Sequence, residues 1–263
     1  MSSVRPTSGS PSAVPGQERP VPNPVEVRER IEAFRAQRGY VLPHQGVMAA
    51  ALPELQDVYP LVYRTLTLDA HHLDNLEREF VWLALLAAAG ESIGTHHIDL
   101  FFKAGGTDRM AQAAFRLVAW ARGIEAYEFL ERHWQVYFPV PGAQQAYAQG
   151  TEALLAQFPE VPHELAHLAL LACLSSRDQH WGLEVELHWG YANAVSEYKI
   201  AEALSLVLWP CGVNRFLEAS RVWLQVLRSG RVNPSPAFQA WADAPDQDGF
   251  FLAPRTPSAG GPQ

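Results

Sequence analysis

Two histidines stand side by side in GESIGTHHIDLFFKAGGT, residues 90–107, just after a long apolar run. Imidazole titrates nearest neutrality, so a histidine held against a carboxylate suits general acid–base work. A helix over 92–105 would put Ser92, His96, Asp99 and Lys103 in one polar stripe. The adjacent stripe, Ile93, His97, Leu100, Phe101 and Ala104, is apolar except for its histidine. The spacing therefore predicts a water-facing His96 and an inward His97. Glu79 supplies the carboxylate, because it opens EFVWLALLAAAG on the face shared with Trp82, Leu83 and Leu86. An inward histidine can also be an ordinary hydrogen-bonded core residue, and only a partner decides between the two roles.

Two further patterns could carry chemistry. HELAH, residues 163–167, is a literal HExxH, in which His163 and His167 would bind zinc and Glu164 would act as base. Pro162 makes His163 the start of a helix, whereas zinc proteases hold the motif inside a long helix beside a strand. His180, Glu184 and His188 follow i, i+4, i+8 spacing on one helix face. That stripe is either solvated or, with His167, a divalent-metal site.

The elements that must position these groups read as helices. Alternating strands are missing, and the expected fold class is all-α. VEVRERIEAFRAQRG runs from Pro24 to Gly39 as a capped amphipathic helix. LDNLEREFVWLALLAAAG is apolar on every face after Glu79, as a helix inside a bundle would be. EFVWLALLAAAG is echoed by ELAHLALLACLS at 164–175, and TDRMAQAAFRLVAW by SEYKIAEALSLVLW at 196–209. Self-similarity at long period indicates two copies of one helical unit, in which Glu164 is the counterpart of Glu79. The expected organisation is a disordered tail at 1–24, repeats at 25–140 and 141–245, and a flexible tail at 246–263.

Composition narrows the function classes. A formal charge of −8 argues against a nucleic-acid partner or an anionic membrane surface. No window is apolar enough to span a membrane, and no secretory signal is visible, so a cytoplasmic protein is expected. Cys173 and Cys211 are the only cysteines, which excludes a disulfide framework and a cysteine zinc site. The tryptophans, among them Trp120, Trp134, Trp181 and Trp189, recur at helix ends as packing residues.

The order of pieces resembles the carboxymuconolactone decarboxylase and AhpD-like alkylhydroperoxidase superfamily. Its repeat has a glutamate opening an apolar helix, a CxxCxxxH element, a Gly-Thr helix end and a capped helix. Here these are Glu79 with FVWLALLAAAG, GESIGTHH ending at His97, KAGGT and DRMAQAA. The family's redox cysteines precede the histidine by seven and four residues, where this chain has Gly90 and Ile93. Thiol peroxidase chemistry is therefore not expected. In the second copy, LEVELHWGYANAVSEYKIAEAL resembles the decarboxylase branch and puts His188 at the branch histidine by local context. Counting back rigidly from Ser196 puts Glu186 there instead, and the branch's second histidine aligns with Leu206.

The resemblance implies two tandem AhpD-like repeats packed as a pseudo-dimer, and self-association of the chain as a trimer. It also implies a cofactor-free lyase or isomerase acting on a small organic acid or lactone. Glu79, His97, Glu164 and His188 would be its catalytic residues, with no metal required. The alternatives are a non-catalytic oligomerising or ligand-binding member, peroxidase-like activity without the usual cysteines, and a metal-dependent site.

Overall fold

The computed structural model describes residues 22–69 and 71–247, and every regular element among them is helical. By packing, the chain divides into a unit ending at Thr65 and a unit beginning at Leu66. The first holds α1 (Pro24–Arg38), α2 (Pro43–Ala51) and α3 (Pro53–Tyr63). α1 begins inside the expected tail, because Asn23 forms a reciprocal capping box with Glu26 and Pro24 sits in the first turn. It ends where Gly39, at φ 80°, turns into the left-handed region. The remainder of both expected tails, 1–21 and 248–263, lies outside the described residues.

A π-helical turn, Arg64–Leu68, leads onward. The second unit then comprises α4 (Asn75–Ala89), α5 (His96–Lys103), α6 (Asp108–Arg122), α7 (Glu125–Phe129), α8 (Ala143–Leu155), α9 (His163–Ser176), α10 (His180–Ala192), α11 (Glu197–Ser205), α12 (Leu208–Cys211), α13 (Val213–Arg228) and α14 (Pro236–Asp243). The expected division at 140/141 lies within this unit, ahead of α8. Among the described residues, no helix is long and apolar enough to cross a membrane.

The core is built on α4 against α9, the most extensive helix–helix contact in the unit. Both are apolar all round, so both must be covered all round. Arg78 to Leu85 of α4 and Leu165 to Ser176 of α9 are buried without a break. α5, α6, α10, α11 and α13 supply the cover. α10 comes close because position 182 is glycine, and a Cβ there would collide with Ile124.

Polar ties fix the ends of these helices. Lys199 of α11 bridges Glu77 of α4 at 2.6 Å and Glu164 of α9 at 2.9 Å. Burial opposes the Lys199 charge, but hydrogen bonds to the two glutamates outweigh it and leave its pKa raised. Glu202, also on α11, accepts the backbone N–H groups of His71, His72 and Leu73, and so holds the segment that leads into α4.

Candidate active site

Glu79 and His97 meet inside the second unit. Asp74 caps α4 through a capping box with Glu77, which puts Glu79 one turn into the helix and on its buried side. α4 ends at Gly90, φ 74°, and the chain turns back through 91–95 before α5 starts at His96. This return sets the His97 imidazole over the first turns of α4. Its Nδ1 lies 2.6 Å from Glu79 Oε2, with side chains only 2% and 1% exposed. A carboxylate accepts, so Nδ1 carries the hydrogen and Nε2 is the nitrogen left to exchange a proton.

Three neighbours hold the pair. The Trp82 indole stacks on His97 with centroids 4.4 Å apart and planes 20° apart. Arg78 Nε donates to the other Glu79 oxygen at 3.2 Å, and its Nη2 reaches Asn75 Oδ1 at 3.3 Å. Arg78 Nη1 and Trp82 Nε1 are both buried without a hydrogen-bond partner among the described residues. Gly94 abuts the histidine edge: a Cβ there would stand 2.7 Å from Leu86 Cδ1 and 3.6 Å from His97 Cδ2.

The helical stripes expected for 92–105 hold only in part. Residues 92–95 form a turn and α5 begins at His96, so Ile93 is 63% exposed instead of inward. His96 shares its stripe with the exposed Asp99 and Lys103 but is not itself fully in water. It is half-buried, with its ring 4.1 Å from that of His97.

A second imidazole–carboxylate pair lies between α9 and α10. His167 Nδ1 donates a short hydrogen bond to Glu186 Oε2, and the Tyr147 hydroxyl donates to Oε1 at 2.6 Å. Trp189 stacks on His167 at 3.4 Å between centroids and 12° between planes. His167 Nε2 is buried with no partner among the described residues. Burial, then the neighbouring Glu186 charge, push the Tyr147 hydroxyl well above its usual pKa.

The other expected site residues are placed differently. Glu164 is 40% exposed and bound to Lys199, because it opens α9 at the surface end, where that ammonium lies. His188 is half-buried, 3.7 Å from Glu184, one helical turn back. The structure brings neither Glu164 nor His188 to the Glu79–His97 pair. The carboxylate that α10 buries is Glu186.

The metal readings separate in the same way. His163 turns to Glu152 at 3.3 Å, Glu164 to Lys199, and His167 to Glu186, so HELAH does not converge. Glu184 is bound by Arg231 at 2.7 Å, and His180 faces Asp178 and Glu218. Among the described residues, no three His, Cys, Asp or Glu side chains gather as a metal site requires.

Sequence reasoning missed Arg78, Trp82 as a stacking partner, Tyr147 and the His167–Glu186 pairing. One signal was available. The offset of 85 that aligns Glu79 with Glu164 also aligns Trp82 with His167, and the offset of 89 that aligns Thr107 with Ser196 aligns His97 with Glu186. No known protein family, curated relative or solved structure matches the chain.

Proposed function

We propose that the chain is a cofactor-free acid–base enzyme, a lyase or isomerase acting on a small organic acid or lactone through Glu79 and His97. The observation that carries this reading is the 2.6 Å contact between His97 Nδ1 and Glu79 Oε2 in a water-poor setting. In the scheme, His97 Nε2 removes a proton from the carbon next to a carbonyl, and Glu79 stabilises the imidazolium that forms. The electron pair moves onto the carbonyl oxygen as an enolate. Return of the proton to a different carbon completes an isomerisation. In a decarboxylation, His97 Nε2 first takes the proton of the substrate's carboxyl group and carbon dioxide leaves. The pair from the broken C–C bond forms the enolate, and the imidazolium returns that proton to carbon. Arg78 supports the scheme with positive charge and a spare N–H donor beside the pair, the kind of group an enolate oxygen needs.

Two tandem AhpD-like repeats form the frame of this proposal. Element order supports it, since α4–α5–α6 and α9–α10–α11 follow one another alike and α4 packs on α9. In the first copy the long helix gives the carboxylate and the next helix the imidazole. In the second the two groups have changed helices. A duplicated acid–base site that kept its chemistry while exchanging its residues accounts for that arrangement, and it makes His167–Glu186 the second candidate centre in place of Glu164 and His188.

The test is a set of β-keto acids and unsaturated lactones incubated with the protein in deuterated water. Deuterium at the carbon next to the carbonyl, or loss of carbon dioxide, is expected with the parent protein and absent in His97→Asn and Glu79→Gln. Turnover that survives both substitutions would overturn the assignment.

A specific observation also favours self-association. Val136, Tyr137 and Val140 are 78%, 73% and 85% exposed, a contiguous apolar stretch that a second copy of the chain would cover. Sedimentation equilibrium of the parent against Tyr137→Asp reads this out, and a monomeric parent would remove the trimer from the proposal.

A further inference from the structure

An open cleft of about 380 Å³ lies where α4, α9 and α12 end, walled by Ala88 and Pro210 and lined by Ser176, Arg177, Cys211 and Arg215. Arginines near helix C-termini ordinarily serve the free carbonyls there. Arg122 does so, donating from Nη2 to Ala87 O at 3.1 Å. Arg215 is paired with Asp178. Arg177 does neither: its Nε is fully buried without a hydrogen-bond partner, and it forms no ion pair among the described residues. In a chain of net charge −8, a guanidinium left without a carboxylate beside a second arginine calls for an anion from outside. The positive potential reaches inward as well. Burial pushes the Cys173 thiol up to about 12, with Arg122 and Arg177 both pulling against that rise.

We infer that this cleft binds a small molecule through an oxyanion group, a carboxylate or a phosphate, with Arg177 as its main ligand and Arg215 as the second. A planar oxyanion takes two N–H groups of one guanidinium together, and Arg177 has none committed to a carboxylate or carbonyl among the described residues. Ala88 and Pro210 offer apolar wall to a short carbon skeleton, and the volume limits the ligand to metabolite size. Ser176 adds little, because its hydroxyl already donates to Cys173 O at 2.7 Å. Cys211 is wall and not nucleophile, since burial raises its thiol pKa despite Arg215 nearby. The site involves neither Glu79 nor His97, so it stands or falls independently of the proposed activity.

The experiment is calorimetric titration of the full chain with sodium phosphate and, separately, sodium succinate, at matched ionic strength in sodium chloride. At least one probe saturates a single site and raises Tm in proportion to its occupancy. Arg177→Gln weakens that binding about tenfold or more, as loss of a charge-assisted fork should, and Arg215→Gln weakens it as well. Arg116→Gln, which removes an exposed arginine on α6, leaves it unchanged. Saturation by phosphate alone or succinate alone supports the site and tells which oxyanion it takes. Saturation by neither, or equal binding in Arg177→Gln and the parent, overturns it. If Arg177→Gln loses its helical circular dichroism, Arg215→Gln decides: weakened binding supports the site and unchanged binding overturns it.

Discussion

His97 and Glu79 are 18 residues apart in the chain, and their hydrogen bond is buried on both sides. Arg78 closes on the far oxygen of the same carboxylate, so three ionisable side chains share one dry site. Such a cluster depends on its central member. Glu79→Gln leaves the buried Arg78 without its charge partner, and about 3–5 kcal/mol of stability should be lost. His97→Asn keeps polarity and leaves Glu79 with Arg78, so the cost should be smaller, about 1–3 kcal/mol. His96→Ala removes a half-buried ring and should cost about 1 kcal/mol or less. Urea denaturation of the three variants gives the order, and a Glu79→Gln variant as stable as the parent would show the cluster to be idle.

The second pair should show coupling across three helices. Tyr147 on α8, His167 on α9 and Glu186 on α10 form one chain of hydrogen bonds. Tyr147→Phe leaves one Glu186 oxygen without its partner, and Glu186→Gln weakens both contacts. A double-mutant cycle on these two changes should give a coupling of about 0.5–3 kcal/mol. Strict additivity would mean that the Tyr147 hydroxyl contributes nothing to the pair.

The all-helical class was legible because long apolar runs with caps have one physical outcome: a helix that must be surrounded. Glu79 and His97 were legible for the same reason, each being the one polar group on an apolar face. Ile93 was misjudged because the 92–105 stripes assume a helix that the turn at 92–95 does not form, and His96 is half-buried because its ring lies against that of His97. Glu164 was misjudged because like position does not fix like surroundings: it opens α9 at the surface end, where Lys199, some 35 residues away in sequence, binds it. The unpartnered polar atoms on Arg78 and His167 could not be read at all, since burial of a single atom depends on contacts from several helices at once.

Neither thiol should behave as a redox centre. Burial raises both thiol pKa values, Cys173 up to about 12, and neither cysteine is near the other or His97 in sequence. Labelling the native protein with a thiol-specific disulfide reagent should modify Cys211 slowly and Cys173 only after unfolding. Hydroperoxide reduction with a dithiol donor should be absent. Turnover abolished by Cys173→Ser or Cys211→Ser would contradict this.

His188 should leave a mark on the acid side of the stability profile. Burial lowers its pKa, Arg231 lowers it further, and Glu184 pulls weakly the other way. The folded chain therefore binds a proton at His188 less readily than the unfolded chain, whose histidine titrates near pH ~6.5. Where the unfolded state holds more protons, stability rises with pH. The contribution of His188 is thus fully present above about pH 6.5 and is lost as pH falls from there through the lowered folded value. The ring is partly exposed, so solvent screening keeps the effect small. His188→Asn removes the titration, so the difference in unfolding free energy between parent and variant should shrink as pH is lowered from 7.5 to 5, about the range in which a lowered histidine titrates. Measuring both proteins by urea denaturation at steps across that range isolates this residue from every other histidine, because the others titrate alike in the two proteins. A difference that stays flat would mean that folding leaves the His188 titration unshifted. One that widens toward acid pH would mean that His188 is protonated in the fold and bound to Glu184 as an ion pair; either contradicts the prediction.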